Sequence, residues 1–198
     1  MSCKYTVKKV EAPCWNEIES VELVHQPWLP ACEISAKAQL CHDGENLYVR
    51  MEASEQNIRA ELTGLLDQVC NDSCMEFFFA PKTDDARYFN FEWNKLCNAY
   101  VGFGSERKTR VRQILKNPKD TFAPQSFDTA KGWAIEYRIP LSFIRMYVPE
   151  FEFKGEAACN FYKCGDMTRI PHYLAWAPLS SEKPDYHRRW DFGTLAFE

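Results

Sequence analysis

The chain has 198 residues, a length that suits one domain over 1–198, and 45% of them are apolar, enough for a sizeable core. Its formal net charge of −4 argues against a dedicated nucleic-acid binder, which needs clustered Lys and Arg against phosphates. No run of eighteen apolar residues occurs, so no membrane span is expected.

The first residues, MSCKYTVKKVEAPCW, lack the apolar centre of a secretory signal and read as a native start. Nine cysteines, an odd number at irregular spacings, accompany them. The expectation is a reducing, cytoplasmic setting with free thiols packed as small hydrophobes. Cys70 and Cys74 are spaced C-x3-C, and Cys159 and Cys164 C-x4-C. Neither is the two-residue knuckle of a structural zinc site, and no metal or cofactor is expected.

Along the chain, strand-like segments recur at short spacing with turn residues between them, which points to an all-β sandwich or barrel. ISAKAQLCHDGENLYVRMEAS (Ile34–Ser54) reads as a hairpin turned at Asp43-Gly44. After the turn, Leu47, Val49 and Met51 alternate with Tyr48, Arg50 and Glu52, the pattern of a half-buried strand. Asn57–Val69 is the best helix candidate, a turn of helix in a long connection. Strands are predicted at Ser73–Phe79 and Arg87–Asn94, around a Pro81–Asp85 loop. Further strands are predicted at Ala99–Phe103, Thr109–Leu115, Trp133–Ile139, Ala157–Lys163 and Gly193–Phe197. Pro140 is expected to break the strand before a short helical turn up to Tyr147. The basic stretch Glu106–Lys119 reads as a charged edge strand that resists aggregation.

Alternation sorts side chains onto faces. Met75, Phe77 and Phe79 oppose Cys74, Glu76 and Phe78. Phe89, Phe91 and Trp93 oppose Tyr88, Asn90, Glu92 and Asn94. Asn160 and Tyr162 oppose Cys159 and Phe161. One face is therefore apolar, and the other carries carboxylates, amides and aromatic edges. Such groups make directional hydrogen bonds to hydroxyls. Periodicity alone leaves two readings open, an ordinary wet face of an antiparallel sandwich or a recognition face.

Four segments in order resemble a known family: DSCMEFFF (Asp72–Phe79), YFNFEWN (Tyr88–Asn94), GWAIEYRIPLSFI (Gly132–Ile144) and the tail from Cys159 to Phe197. They are similar to the family 9 carbohydrate-binding modules, in particular the stand-alone branch of gut bacteria and their relatives. The similarity spans about Cys32 to Phe197. It implies an antiparallel, jelly-roll-like β-sandwich with one or two short helical turns. It also implies non-catalytic recognition of mono- or oligosaccharides, at chain ends in the parent family, in glycan breakdown beside glycan-degrading enzymes. The family's acidic residue after its Asp-Ser pair corresponds to Glu76. An upstream aromatic wall corresponds to Val69 and Cys70, so that wall is missing, and a basic residue of the second strand corresponds to Glu92. A second aromatic wall, six residues before the closing Phe-Gly, corresponds to Tyr186. The family's calcium is not carried over, because no loop reads as a calcium cage.

The candidate ligand-binding residues are Glu76, Asn90, Glu92, Asn94, Asn160, Tyr162, Trp176, Tyr186 and His187. Trp176 at a strand end suits either a sugar site or a core seal, and Trp133 opens an alternating strand and reads as core. KPDYHRRWDFG (Lys183–Gly193) has no alternation and reads as a loop carrying Tyr186 as an exposed ring with His187 beside it. Lys163 and Arg169 read as solvated charges. Two other classes stay open: a glycoside hydrolase using Glu76 and Glu92 as its carboxyl pair, and a haem- or redox-associated sandwich using Met167 and His172.

Overall fold

The computed structural model describes residues 3–114 and 116–198. Its strands are β1 (Lys4–Lys9), β2 (Val21–Glu22), β3 (Ser35–His42), β4 (Asn46–Ser54), β5 (Cys74–Ala80), β6 (Tyr88–Asn94) and β7 (Ala99–Gly104). They continue as β8 (Val111–Gln113), β9 (Gln125–Thr129), β10 (Gly132–Pro140), β11 (Gly155–Cys164), β12 (Tyr173–Ala175) and β13 (Gly193–Phe197). Among the described residues, two five-residue α-helices, α1 (Pro118–Phe122) and α2 (Leu141–Arg145), and two short 3-10 turns accompany the strands.

The strands curl into a sandwich whose two sheets share β1. The first sheet runs β8-β7-β6-β5-β11-β13-β1, with β12 also on β11. The second runs β1-β3-β4-β10-β9, with β2 on β3. Lys4–Val7 pair with β13 and Lys8–Lys9 with the end of β3, both in parallel, so one short strand ties the sheets together. The remaining ladders are antiparallel, which makes this the all-β sandwich that the alternation predicts.

The apolar faces meet between the sheets. Phe77 stacks between Phe91 at 6.3 Å and Phe161 at 5.1 Å across neighbouring strands. Leu40, Leu47, Val49, Trp133 and Ile135 from the second sheet are fully buried in the same cluster. Trp176 belongs to it too, packed 5.7 Å from Phe161, because a Cβ on Gly193 would meet its ring at 2.6 Å. Gly44 sits at φ +97°, which glycine adopts without strain, and turns β3 into β4.

The predicted strand bounds mostly hold to within a residue or two. The strand predicted at Thr109–Leu115 is the short edge strand β8, and Leu115 lies outside the described residues. Asn57–Val69 is not helical; only the 3-10 turn Val69–Asn71 forms at its end. Leu65 and Leu66 are exposed, so a helix there would have no face to bury. The segment is instead hydrogen-bonded as a loop. Asp72 Oδ2 accepts from the Glu61 and Leu62 amides, and the Arg112 guanidinium donates to the Leu65, Leu66 and Asp67 carbonyls.

Lys163 is another correction. It points into the sandwich interior, fully buried, with Nζ 3.1 Å from Glu55 Oε2 and 2.7 Å from His172 Nε2. Ser73 Oγ and Trp133 Nε1 donate to the same Glu55 carboxylate at 2.8 and 3.2 Å. Burial and the Lys163 charge push His172 down to about 4, so it is neutral and accepts from the ammonium, while Nδ1 faces Ile170 O at 2.7 Å. Both ring nitrogens are thus engaged inside the protein while Met167 is exposed, which leaves that pair unsuited to axial ligation of a haem.

Candidate functional site

The other face of the first sheet carries Cys74, Glu76 and Phe78 of β5, Tyr88 to Asn94 in alternation on β6, Tyr100 of β7, and Asn160, Tyr162 and Cys164 of β11. Ladder register fixes these neighbours: Glu76 lies directly opposite both Glu92 and Tyr162, and Phe78 opposite Asn90 and Asn160. Loops cover most of this face and leave a cleft of about 400 Å³ over its middle. Glu76, Glu92, Cys70 and Cys164 line the cleft, with Trp28, Tyr100, Tyr173, Tyr186 and His187 as its aromatic lining. Arg107, Lys108, Arg110, Asp166 and Asp185 add charge to the lining.

Two buried carboxyls facing each other across a ladder cannot both hold a charge cheaply. Burial is the larger cause of the shift at both, and the charge of Glu92 adds to it at Glu76. It pushes Glu76 well above the usual carboxylate range and Glu92 up to about 7. Burial and the facing carboxyl thus favour the protonated form of Glu76, and Glu92 titrates near neutral pH. Glu92 Oε1 accepts from Asn90 Nδ2 at 2.7 Å, and Asn90 Oδ1 accepts from the Arg110 guanidinium. Gly102 makes room for that relay, since a Cβ there would lie 2.6 Å from Asn90 Oδ1. Arg110 also lies over the Tyr88 ring at 4.6 Å. On the other side, the Cys164 thiol donates to Glu76 Oε1 at 2.9 Å. The floor thus offers two facing carboxyls, one proton between them able to donate and a lone pair able to accept, the two roles a sugar hydroxyl pair needs.

Tyr186 borders the cleft, but it is 8% exposed, not a free loop ring. One face lies flat on Tyr162 at 4.0 Å and 10°, and Trp28 leans on it at 5.4 Å. Its hydroxyl lies 3.1 and 3.2 Å from the Lys163 and Leu174 carbonyls, and Tyr162 Oη donates to the Tyr186 carbonyl at 3.1 Å. His187 next to it is held neutral: burial, then Arg110 and Arg107, push it down to about 3, and Nδ1 pairs with Tyr88 Oη at 2.9 Å.

Of the nine candidates, Glu76, Glu92, Tyr186 and His187 line the cleft, with Asn90 and Tyr162 directly behind them. The other three hold the scaffold. Asn94 clamps a turn, accepting from the Leu96 and Asn98 amides while Nδ2 bonds Leu62 O and Asp72 Oδ2. Asn160 pairs through both ends of its amide with the Ala177 backbone. Trp176 lies in the inter-sheet core.

Sequence reasoning missed Trp28, Tyr100 and Tyr173, the half-buried aromatics of the cleft. Trp28 sits in a loop at φ 74° with Nε1 donating to Ser181 O at 2.7 Å, so its ring is fixed before any ligand arrives. Tyr173 meets it edge-on at 5.4 Å. Tyr100 carries the Arg112 guanidinium on its face at 4.1 Å. The signal available was Tyr100 on a strand facing Glu92, and nothing in the loop sequence marked Trp28.

Comparison with known proteins agrees with this architecture. A carbohydrate-binding protein description attaches to a solved Bacteroides uniformis structure, which is 27% identical, covers 100% of both chains and superposes with a TM-score of 0.87. A family 9 module of Caldicellulosiruptor kristjanssonii solved with glucose is 14% identical, covers 99% of this chain and 96% of its own, and has a TM-score of 0.68. The same organism's module with cellotriose, 13% identical, covers 98% and 93% with a TM-score of 0.65. No curated protein matches the chain. The profile of carbohydrate-binding family 9 matches residues 5–197, nearly the whole chain, and the protein belongs to that family.

Proposed function

We propose that the cleft on the first sheet binds the end of a mono- or oligosaccharide without cleaving it. The observation that carries this reading is the Glu76–Glu92 pair, two facing carboxyls on the floor of a cleft lined by fixed aromatic rings. Sugars present hydroxyls along their edges and C–H groups on their faces, and this floor and lining answer both. The cleft volume of about 400 Å³ suits one or two sugar rings. Glucose and cellotriose, the ligands in the two Caldicellulosiruptor structures, are the sugars to test first.

Cleavage would need one carboxyl on each side of a glycosidic bond. Here both project from adjacent strands onto one floor, buried and hydrogen-bonded to Asn90 and Cys164. The reading extends to glycan breakdown in a reducing cytoplasm beside glycan-degrading enzymes; its support is the nine free thiols and membership of a carbohydrate-binding family. A glycan array followed by calorimetry, with aryl glycosides tested for turnover, decides the proposal. Saturable sugar binding without turnover is the expected result. Robust sugar release lost in Glu76→Gln would overturn it.

A further inference from the structure

Cys74 and Cys164 are remote in sequence but directly opposite across the β5–β11 ladder, and Glu76, two residues along β5, shares their face. We propose that Cys74, Cys164 and Glu76 form a binding site for a thiophilic divalent cation of the zinc class, set into the floor of the cleft.

The geometry comes first. The three ligand atoms all lie within 4.8 Å of one another. Bonds of about 2.3 Å to sulfur and 2.0–2.2 Å to oxygen place tetrahedral donors roughly 3.5–3.8 Å apart. The apo arrangement is therefore within side-chain adjustments of less than about 1 Å of a metal site. Sheet register holds the Cβ atoms, so little has to be ordered on binding. Cys164 and Glu76 line the cleft, which gives a cation a way in and leaves a fourth position open on that side. Cys70 lines the cleft as well and adds a further sulfur to its lining.

The chemistry comes second. A buried cysteine usually packs among apolar side chains as an inert hydrophobe. Here two thiols and a carboxyl are buried together, beside a second carboxyl, with the Cys164 thiol spent on Glu76 Oε1 at 2.9 Å. All three groups are held as acids: burial raises Cys74 to about 12 and Cys164 and Glu76 well above their usual ranges. A divalent cation displaces those three protons to solution and takes two thiolates and a carboxylate, for a net charge of −1. Arg107 and Arg110, which line the same cleft, offset it. Chain spacing hides the site, because its two cysteines come from different strands.

This inference does not rest on the sugar reading. The test is titration of the reduced full-length protein with cobalt(II), then zinc(II). One equivalent of cobalt should give thiolate-to-metal charge transfer and the intense visible bands of tetrahedral cobalt, with protons released, and zinc should displace it. Cys74→Ala and Cys164→Ala should abolish the spectrum, Glu76→Gln should weaken binding on the order of tenfold or more, and Cys14→Ala, at an exposed thiol, should leave it intact. Because the buried variants can lose the fold, zinc-edge X-ray absorption on the wild type gives a second readout: at least two sulfur neighbours at about 2.3 Å. Absence of charge transfer at excess cobalt, a spectrum that survives both cysteine variants, or a zinc shell of nitrogen and oxygen alone would overturn the site.

Discussion

Replacing Tyr186 separates the packed ring of the structure from the exposed loop ring that the sequence suggests. A ring on an exposed loop would support little core, and its removal would leave the melting temperature almost unchanged. In the structure the ring lies between Tyr162 at 4.0 Å and Trp28 at 5.4 Å and is 8% exposed. Truncating a buried aromatic side chain to Ala costs about 3–5 kcal/mol, because transfer and cavity terms add. Each kcal/mol moves the melting temperature of a chain this long by about 2–4 °C. Tyr186→Ala should therefore melt roughly 6–20 °C below wild type. Tyr186→Phe keeps the ring and loses only the hydroxyl contacts, for about 1 kcal/mol and a drop of 2–4 °C. Thermal and urea unfolding of the three proteins, followed by circular dichroism, supply the assay. A Tyr186→Ala protein that melts within about a degree of wild type would refute the packing argument.

Lys163→Met strands the buried Glu55 carboxylate and should cost about 3–5 kcal/mol in urea unfolding. Adding Glu55→Gln should restore much of that, and a double variant as unstable as the sum of both singles would contradict the pairing. Glu92 holds its proton more tightly folded than unfolded, at about 7 against 4.5, so its contribution is full below about pH 4.5 and lost as pH rises through 7. That loss is about 3 kcal/mol, and Glu92→Gln should remove it, so the difference between the two stability–pH curves is the readout; parallel curves would show that Glu92 titrates normally. Thiol titration in denaturant without reductant should approach the nine cysteines of the sequence, and a value near half of that would show disulfides.

What could be read in the sequence follows from where the determining contacts lie. Phe77, Phe79, Phe89, Phe91 and Trp93 announce their strands because each alternates with a residue facing the other way, a local signal. Glu76 and Glu92 stand out as carboxyls inside otherwise apolar runs, and they are the floor of the cleft. Tyr5 and Val7 carry the same alternation in β1, but one short segment among lysines gives no hint of its parallel pairing with β13. The Asn57–Val69 misreading came from helix formers whose loop conformation is dictated by Asp72 and Arg112 elsewhere in the chain. Lys163 looked like a solvated charge because its partner Glu55 lies far upstream. Arg107 and Arg110 read as edge charge, and their stretch does include the edge strand β8; only the fold brings them into the cleft. The depth of Tyr186 depends on Tyr162, and the closeness of Cys74 to Cys164 on ladder register, neither of which is local.

The most direct test of the account is calorimetric titration of wild-type protein with glucose and cellotriose, or with the strongest glycan-array ligand, in the presence of a chelator. A dissociation constant of roughly 0.1–1 mM, or about −4 to −5.5 kcal/mol, is predicted. Loss of a stacking ring should cost on the order of 1–2 kcal/mol, so Trp28→Ala should bind about tenfold more weakly or worse. Glu76→Gln keeps a donor but loses the proton balance of the pair, and should bind more weakly as well. Heat signals that saturate in wild type and shrink in both variants, with unchanged folds, are the predicted result. Undiminished binding in both variants would place the sugar site elsewhere, and no binding to any sugar would contradict the central claim.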